Sequence, residues 1–162
     1  MIEYREAQAA DIDELVKLRL EFAIDEHQAL GEELPPDQLL SLGSRYHEYI
    51  SSHLGDGFYV FVAEEQGRLI ATAALHIIER PLGHRWASNI HATMMHVFTQ
   101  PEHRRQGHAL RLCSMVIEKA RAEGAAIIVL EATESGRPVY LKLGFADKDN
   151  GCVSMEMDLL PS

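Results

Sequence analysis

The order of apolar and polar residues predicts a mixed α/β fold that starts with one strand and two helices. Residues 1–6 alternate between apolar and polar side chains, as a half-buried strand does. From Asp11 onward the apolar positions recur with a period near 3.6, which indicates a helix. These positions are Ile12, Leu15, Val16, Leu18 and Phe22. A Gly- and Pro-containing break at 31–36 separates this helix from a second one over 37–53.

The middle of the chain predicts a hairpin followed by a third strand. Two dense apolar runs, 58–65 and 68–78, are joined by Gln66-Gly67, a typical two-residue turn. Because both runs are apolar almost throughout, we expect these strands to be covered on two faces. Another strand is predicted over 89–99, where it ends at Gln100-Pro101.

The last third of the chain contains the clearest amphipathic helix, which ends at Gly124. Its predicted apolar face consists of Ala109, Leu110, Cys113, Val116, Ile117 and Ala120. A short buried strand is predicted over 125–132 and a short helix over 135–143. Phe145 and residues 153–159 are expected to supply the final strands.

Composition and charge restrict the class of protein. With 162 residues, 46% of them apolar, the chain fits a single domain over 1–162. No apolar run approaches the roughly 20 residues that span a bilayer, so no membrane partner is expected. A net charge of -10 makes nucleic acid an improbable partner. The first residues show no secretory signal, and a cytoplasmic location is the expectation.

Cysteine and histidine spacing predicts neither a disulfide framework nor a metal site. The two cysteines, Cys113 and Cys152, fall in different predicted elements and have no second pair to form a cluster. We interpret both as reduced and structural. The nine histidines show no His-Glu-x-x-His or similar spacing, so no metal is expected.

The segment that suggests chemistry is 97–109, which joins a strand to the amphipathic helix. It contains Arg104-x-x-Gly107-x-Ala109. A glycine there lets the backbone lie close to a ligand, and the first amides of the helix point at that ligand. Together with the helix dipole and the two arginines, they favour a phosphate. The alternative is an ordinary strand-to-helix turn with two solvated arginines.

Two known phosphate-binding motifs do not match this segment. It lacks the Gly-Lys-Ser/Thr ending of a nucleoside triphosphate loop, and it lacks the second and third glycines of a dinucleotide fingerprint. It resembles instead the pyrophosphate loop of the GNAT superfamily of acyl-CoA-dependent N-acetyltransferases. Residues 136–145, a Tyr in a short helix that closes on Gly-Phe, resemble that family's second signature. The two signatures lie in the family's order along the chain.

The resemblance covers nearly the whole chain and implies a fold and a cosubstrate. The implied fold is a mixed, mostly antiparallel sheet of six to seven strands with about four helices, in which two central strands splay to admit acetyl-CoA. The implied contacts with acetyl-CoA come from Val97, Phe98, Thr99, Arg104, Arg105, Gln106, Gly107, His108, Ala109 and Leu110. His108 departs from the pattern, since an apolar residue is common at that position.

The reaction implied by the resemblance is direct acetyl transfer from acetyl-CoA to a primary amine of a small molecule, within a ternary complex. By resemblance, Tyr140 is the general acid that protonates the CoA thiolate; the alternative is that its ring only packs beside Phe145. For the general base, His96 is the first candidate because an imidazole suits that role. His91, a water chain, and, more weakly, Asn89 and Glu131 are the alternatives.

The acceptor is less well specified by the sequence. We expect a cationic amine, attracted by acidic residues on or between the first two helices, although these residues could equally form a solvated surface. They are Glu26, Glu32, Glu33 and Asp37. Arg85 and Trp86 could line the acceptor pocket or lie at its rim.

A non-catalytic acyl-CoA sensor of the same fold is the alternative function. Dimers are common in the superfamily, so both a monomer and a homodimer remain open.

Overall fold

The protein is described by a computed structural model that covers residues 1–81, 87–148 and 155–159. These parts contain five strands and four α-helices. The strands are β1 (Ile2–Glu6), β2 (Phe58–Glu65), β3 (Arg68–Glu79), β4 (Ile90–Thr99) and β5 (Ile127–Val129). The helices are α1 (Ile12–Ala29), α2 (Pro36–His53), α3 (His108–Ala122) and α4 (Arg137–Lys142). Short 3-10 turns precede α1 and follow β4.

The five strands form one sheet in the order in which they occur along the chain. The neighbours from β1 to β4 are antiparallel, and β4 and β5 are parallel. The hairpin between β2 and β3 turns at Gln66 and Gly67, which both have positive φ, as a two-residue hairpin turn requires. The predicted mixed, mostly antiparallel sheet is therefore confirmed.

Helices cover both faces of the sheet because its central strands are apolar on both sides. Along β2, Val60 and Val62 pack with Leu15 of α1 and Ile50 of α2. The alternate residues of β2 pack against α3 on the opposite face. This period of two is the ordinary consequence of the pleat, and it explains the continuous apolar runs in the sequence.

The buried face of α3 differs from the predicted one. Leu112 is fully buried in the core, whereas Leu110 is 38% exposed. The buried face consists of His108, Leu112, Cys113, Val116 and Ala120. The prediction of Leu110 was wrong because His108 takes the apolar position one turn before Leu112, which rotates the buried stripe around the helix.

The prediction of a sixth and a seventh strand is wrong for the part of the chain that the structure describes, because no strand follows β5 there. Phe145 follows the end of α4, and its backbone N–H donates to the carbonyl of Tyr140 instead of joining a strand. Residues 155–159 form no strand, and Met155 and Met157 are almost fully exposed, so their apolar alternation does not reflect burial. Residues 153 and 154 lie outside the described residues. The strand predicted over 125–132 is reduced to three residues in β5.

Candidate active site

The feature that creates the site is the separation of β4 from β5. Parallel pairing joins three residues of each strand, from His91 and Ile127 to Thr93 and Val129, and ends there in the described chain. On its other edge β4 stays paired with β3 up to Thr99. The separation opens a cavity of about 1080 Å³, slightly above the usual ligand-pocket range of roughly 300–1,000 Å³.

A β-bulge in β4 shapes one wall of this cavity. The register with β3 shifts between Thr72 and Ala74, and His96 has a φ of 51°, in the left-handed region. As a result Met95 and His96 both turn toward α1 and α2, where Met95 joins the core and His96 meets Tyr46 edge to face with 5.7 Å between ring centroids. Bulges beside ligand sites commonly re-aim a side chain in this way.

The environment keeps His96 uncharged. Burial, together with the nearby charge of Arg19, lowers the pKa of His96 to about 4. Its Nδ1 atom is buried and has no hydrogen-bond partner among the described residues. Burial also raises the pKa of the neighbouring Tyr46 to about 12. Both rings are therefore neutral at pH 7.

Gly107 and the start of α3 form a cradle at one end of the separated strands. Gly107 precedes α3 with a φ of 88°, and a Cβ placed on it would meet no atom within 4 Å. The amides of His108, Ala109 and Leu110 open the helix, whereas that of Arg111 already donates to the carbonyl of Gly107. The first turn of α3, which the structure describes in full, has no acidic side chain. Such a site favours an anion.

Comparison with known proteins identifies the family that this geometry belongs to. The acetyltransferase (GNAT) family matches residues 17–145, which is most of the chain. The chain belongs to the GNAT family. A crystal structure of a predicted acetyltransferase with acetyl-CoA from Clostridium acetobutylicum is 30% identical, with a TM-score of 0.83 and coverage of 98% of this chain and 97% of that one.

More distant structures share the fold of this GNAT protein. A GCN5-related N-acetyltransferase from Ralstonia eutropha is 21% identical, with a TM-score of 0.79 and coverage of 97% and 99% of the two chains. Glucosamine-6-phosphate N-acetyltransferase from Arabidopsis thaliana is 17% identical, with a TM-score of 0.68 and coverage of 98% and 99%. No curated protein matches the chain. The family and its structures establish an acyltransferase.

In the segment predicted to bind acetyl-CoA, several side chains already have partners within the protein, so it is mainly the backbone that is available to the cosubstrate. Arg104 is already engaged: its Nη2 donates to Asp25 at 2.8 Å and its Nε to the Thr99 carbonyl at 3.0 Å. Phe98 is buried and stacks on Phe22, so only its backbone can face a ligand. Val97 lines the cavity, and Arg105 and Gln106 are exposed beside Gly107.

His108 contributes its amide to the cradle, whereas its side chain belongs to the core. The residue is 3% exposed, and its Nδ1 atom lies 2.7 Å from the hydroxyl of Tyr4 on β1. Burial lowers the pKa of His108. The imidazole therefore takes the buried place that an apolar residue commonly has in the family pattern, and it ties the start of α3 to the edge of the sheet.

The structure places Tyr140 both at the cavity and against Phe145, and its role as general acid stays a prediction. The residue is half-buried and lines the cavity, while its ring also packs against Phe145 with 6.0 Å between centroids. Burial, with a smaller effect of nearby Cys113, raises the pKa of Tyr140 to about 12. Packing beside Phe145 thus orients the phenol and does not remove it from the site.

The remaining candidates divide between the cavity and the surface. Of the four acidic residues expected to attract the amine, Glu26 lines the cavity, and the other three are exposed outside it. His91 and Glu131 also line it.

Cys113 is fully buried, and burial raises its pKa to about 12, as expected for a structural thiol. Arg85, Trp86 and Cys152 lie outside the described residues.

The described residues contain neither a cluster of metal ligands nor a helix that could span a membrane. No group of three or more metal-ligating side chains could hold a metal ion there. None of the described helices is both long and apolar enough to cross a membrane.

Arg19 is a cavity residue that the sequence analysis missed. It lies on α1 and reaches the cavity together with Glu26, seven residues later on the same helix. The signal was present in the pattern, because position 19 falls four residues after Leu15 and three before Phe22, inside the apolar stripe of α1. A charged residue in such a stripe indicates either a buried ion pair or a ligand site.

We predict that Gly107→Val abolishes CoA binding, because a β-branched side chain would project into the cradle. Gly67→Val is the matched control: Gly67 also has positive φ with open space around it, but it lies in the β2–β3 turn. Both variants carry similar backbone strain. Calorimetric titration with CoA should show loss of binding for Gly107→Val alone; equal binding by both variants would mean that the cradle is elsewhere.

The low pKa of His96 predicts how stability depends on pH. Between about pH 4 and 6.5 the unfolded chain holds a proton on His96 that the folded chain lacks, so folded stability is complete above pH 6.5 and decreases as the pH falls. Urea unfolding at about pH 7.5 and 5 should therefore show a smaller loss for His96→Gln than for the parent. The exposed His47→Gln is the control; identical losses in all three proteins would contradict the burial of His96.

Proposed function

We propose that this GNAT protein transfers the acetyl group of acetyl-CoA to the primary amine of a small molecule within a ternary complex. The observation that carries the proposal is a single cavity, reached from the gap between β4 and β5, that contains both Tyr140 and His96. Bound acetyl-CoA supplies an acetyl group activated as a thioester. The chain then has to orient the amine, take a proton from it and give a proton to the departing sulfur.

The Gly107 cradle and the free edge of β4 are proposed to hold acetyl-CoA. The helix amides and Arg105 suit its pyrophosphate, and the edge of β4 beyond Thr93 offers backbone groups to its pantetheine amides. The structure with acetyl-CoA from the 30% identical relative supports this cosubstrate. Because Arg104 is held by Asp25 and Thr99, its part in the cradle is to fix the loop.

Tyr140 is proposed to donate the proton that the sulfur needs. A phenol with a pKa of about 12 is fully protonated at neutral pH, and its partial burial keeps competing water away from the hydroxyl. The same burial disfavours a thiolate left in the cavity, since a buried anion is costly. Proton transfer from the Tyr140 hydroxyl neutralises the departing sulfur and leaves the negative charge on the phenolate, which then regains the proton that the amine gave up, passed on from the base through water.

His96 is proposed to accept the proton of the amine. Its pKa of about 4 keeps the imidazole in the neutral form that a base requires. Such a weak base takes a proton only once the nitrogen has become more acidic, as the bond from nitrogen to the acetyl carbon forms. His91, which lines the same cavity, is the alternative acceptor.

The test of the function is acetyl transfer to a panel of primary amines, with the free thiol of CoA measured by a thiol reagent and the acetylated product by mass spectrometry. We expect thiol release that depends on an amine. CoA binding without release for any amine would favour the non-catalytic sensor instead. A panel that includes short peptides separates small-molecule from peptide acceptors.

We predict that Tyr140→Phe lowers kcat by about 10²- to 10⁴-fold, the usual effect of losing a general acid, with little change in CoA affinity. The substitution keeps the ring that packs on Phe145 and removes only the hydroxyl. Tyr49→Phe on α2 is the control, because it removes a phenol outside the cavity. An unchanged kcat in Tyr140→Phe, measured where chemistry limits turnover, would exclude Tyr140 as the acid.

A further inference from the structure

Arg19 is a largely buried cation that the proposed reaction does not use. Its side chain is 17% exposed and lines the cavity, and the Nη1 atom is buried without a hydrogen-bond partner among the described residues. Its guanidinium lies 5.1 Å from the centre of the Phe22 ring. A buried guanidinium with an unused N–H group is costly unless something compensates for its lost hydration.

The neighbouring carboxylate compensates Arg19 only in part. Glu26 lies 3.5 Å from the same Nη1 atom, too long for a good hydrogen bond, and its side chain is 46% exposed. An ion pair formed to stabilise the fold would have close, bidentate contacts, as Arg5 does with Asp11 at 2.7 and 2.8 Å. Arg19 therefore keeps donors available to a group that enters the cavity.

The cavity as a whole is less acidic than the chain. Its described lining contains three cationic residues and two carboxylates, which are Arg19, Arg80 and Lys148 against Glu26 and Glu131. With His96 neutral, this lining has a small positive balance in a chain whose net charge is -10. A field selected only to attract a cationic amine would have the opposite sign.

We propose that the acceptor is an amine that also carries an anionic group, with a carboxylate as the best match, and that Arg19 binds this group. The inference rests on the proposed acetyl transfer to an amine. The planar guanidinium of Arg19 can donate two parallel N–H bonds to a carboxylate, and Glu26 lies next to it to face the ammonium end of the same molecule. The acceptor class is thus an amino acid or a related amino acid-like compound.

Binding of a carboxylate at Arg19 would also affect His96. The charge of Arg19 is one of the causes that depress the proton affinity of His96. A carboxylate on Arg19 would offset that charge and make His96 a stronger proton acceptor. Arg19 is accordingly a specificity residue that also tunes the base, and the acceptor's own anionic group completes the site.

The experiment compares matched acceptors in the thiol-release assay. Straight-chain amino carboxylates of increasing length are tested against the alkylamine and the diamine of equal length. Aminoalkyl phosphonates form a further arm that separates carboxylate from phosphate-like groups. We expect kcat/KM for the best amino carboxylate to exceed that of its alkylamine by about 10- to 100-fold, as for a hydrogen-bonded charged group.

Variants then assign this preference to Arg19. Arg19→Gln should lower the ratio of kcat/KM for the amino carboxylate to kcat/KM for the alkylamine to about one; the ratio is the readout because loss of the Arg19 charge also changes His96, which acts on both acceptors. Arg45→Gln, an exposed arginine on α2, makes the same change of charge outside the cavity and should keep the preference. If Arg19→Gln does not fold, Arg19→Lys keeps the charge without the bidentate geometry and should reduce the preference in part.

The outcomes separate this inference from the proposed function. Transfer to amines with no preference for an anionic group, or a preference that Arg19→Gln and Arg19→Lys both leave intact, would overturn the role of Arg19 and leave acetyl transfer standing. A preference for phosphonates would replace the carboxylate by a phosphate-like group. No transfer to any amine would overturn the proposed function and, with it, the inference.

Discussion

The structure depends on the fact that strand β4 is paired along its length on one edge and only in part on the other. β4 stays bonded to β3 along its length but leaves β5 after Thr93, so that one edge of an internal strand loses its partner. Unpaired backbone groups inside a protein have to be satisfied by something else, and a substrate rich in amide groups can do so. The cavity, the cradle before α3 and the position of Tyr140 all follow from this separation. A sheet paired throughout would have no room for the site.

Helix α1 couples the two ends of that site. Near its middle and end, Glu21 accepts from Gln100 and Asp25 from Arg104, and these contacts fix the loop that leads from β4 to Gly107. Arg19 and Glu26 of the same helix line the cavity. Because one rigid element contacts both the cosubstrate loop and the proposed acceptor pocket, a shift of α1 would move both.

The sequence predicted the class of the fold and the order of its elements. Its predictions were wrong where a polar residue is buried or an apolar residue is exposed. The limits of α1, α2 and the first four strands could be read from periodicity and turn residues, since these segments bury the faces that their patterns indicate. The pattern could not show that His108 replaces an apolar residue in the core of α3. Nor could it show that β5 ends at Val129, because that end is set by its distance from β4.

The sequence predicted the parts of the candidate site that the backbone forms, and it did not predict the roles of the charged side chains. The glycine and the helix start are visible in the sequence, whereas the roles of Arg104 and Arg19 depend on which charges the fold brings near them. Arg104 was predicted to bind phosphate, and in the structure it donates to Asp25 and to the Thr99 carbonyl. Arg19 lies within the apolar stripe of α1 and lines the cavity. The residues proposed for acetyl transfer lie on β4, α3 and α4, and those proposed for recognising the acceptor lie on α1. Substitutions at the α1 positions that face the cavity would therefore change recognition of the acceptor while Tyr140 and the cradle stay in place, which is one way in which a single fold supports different functions.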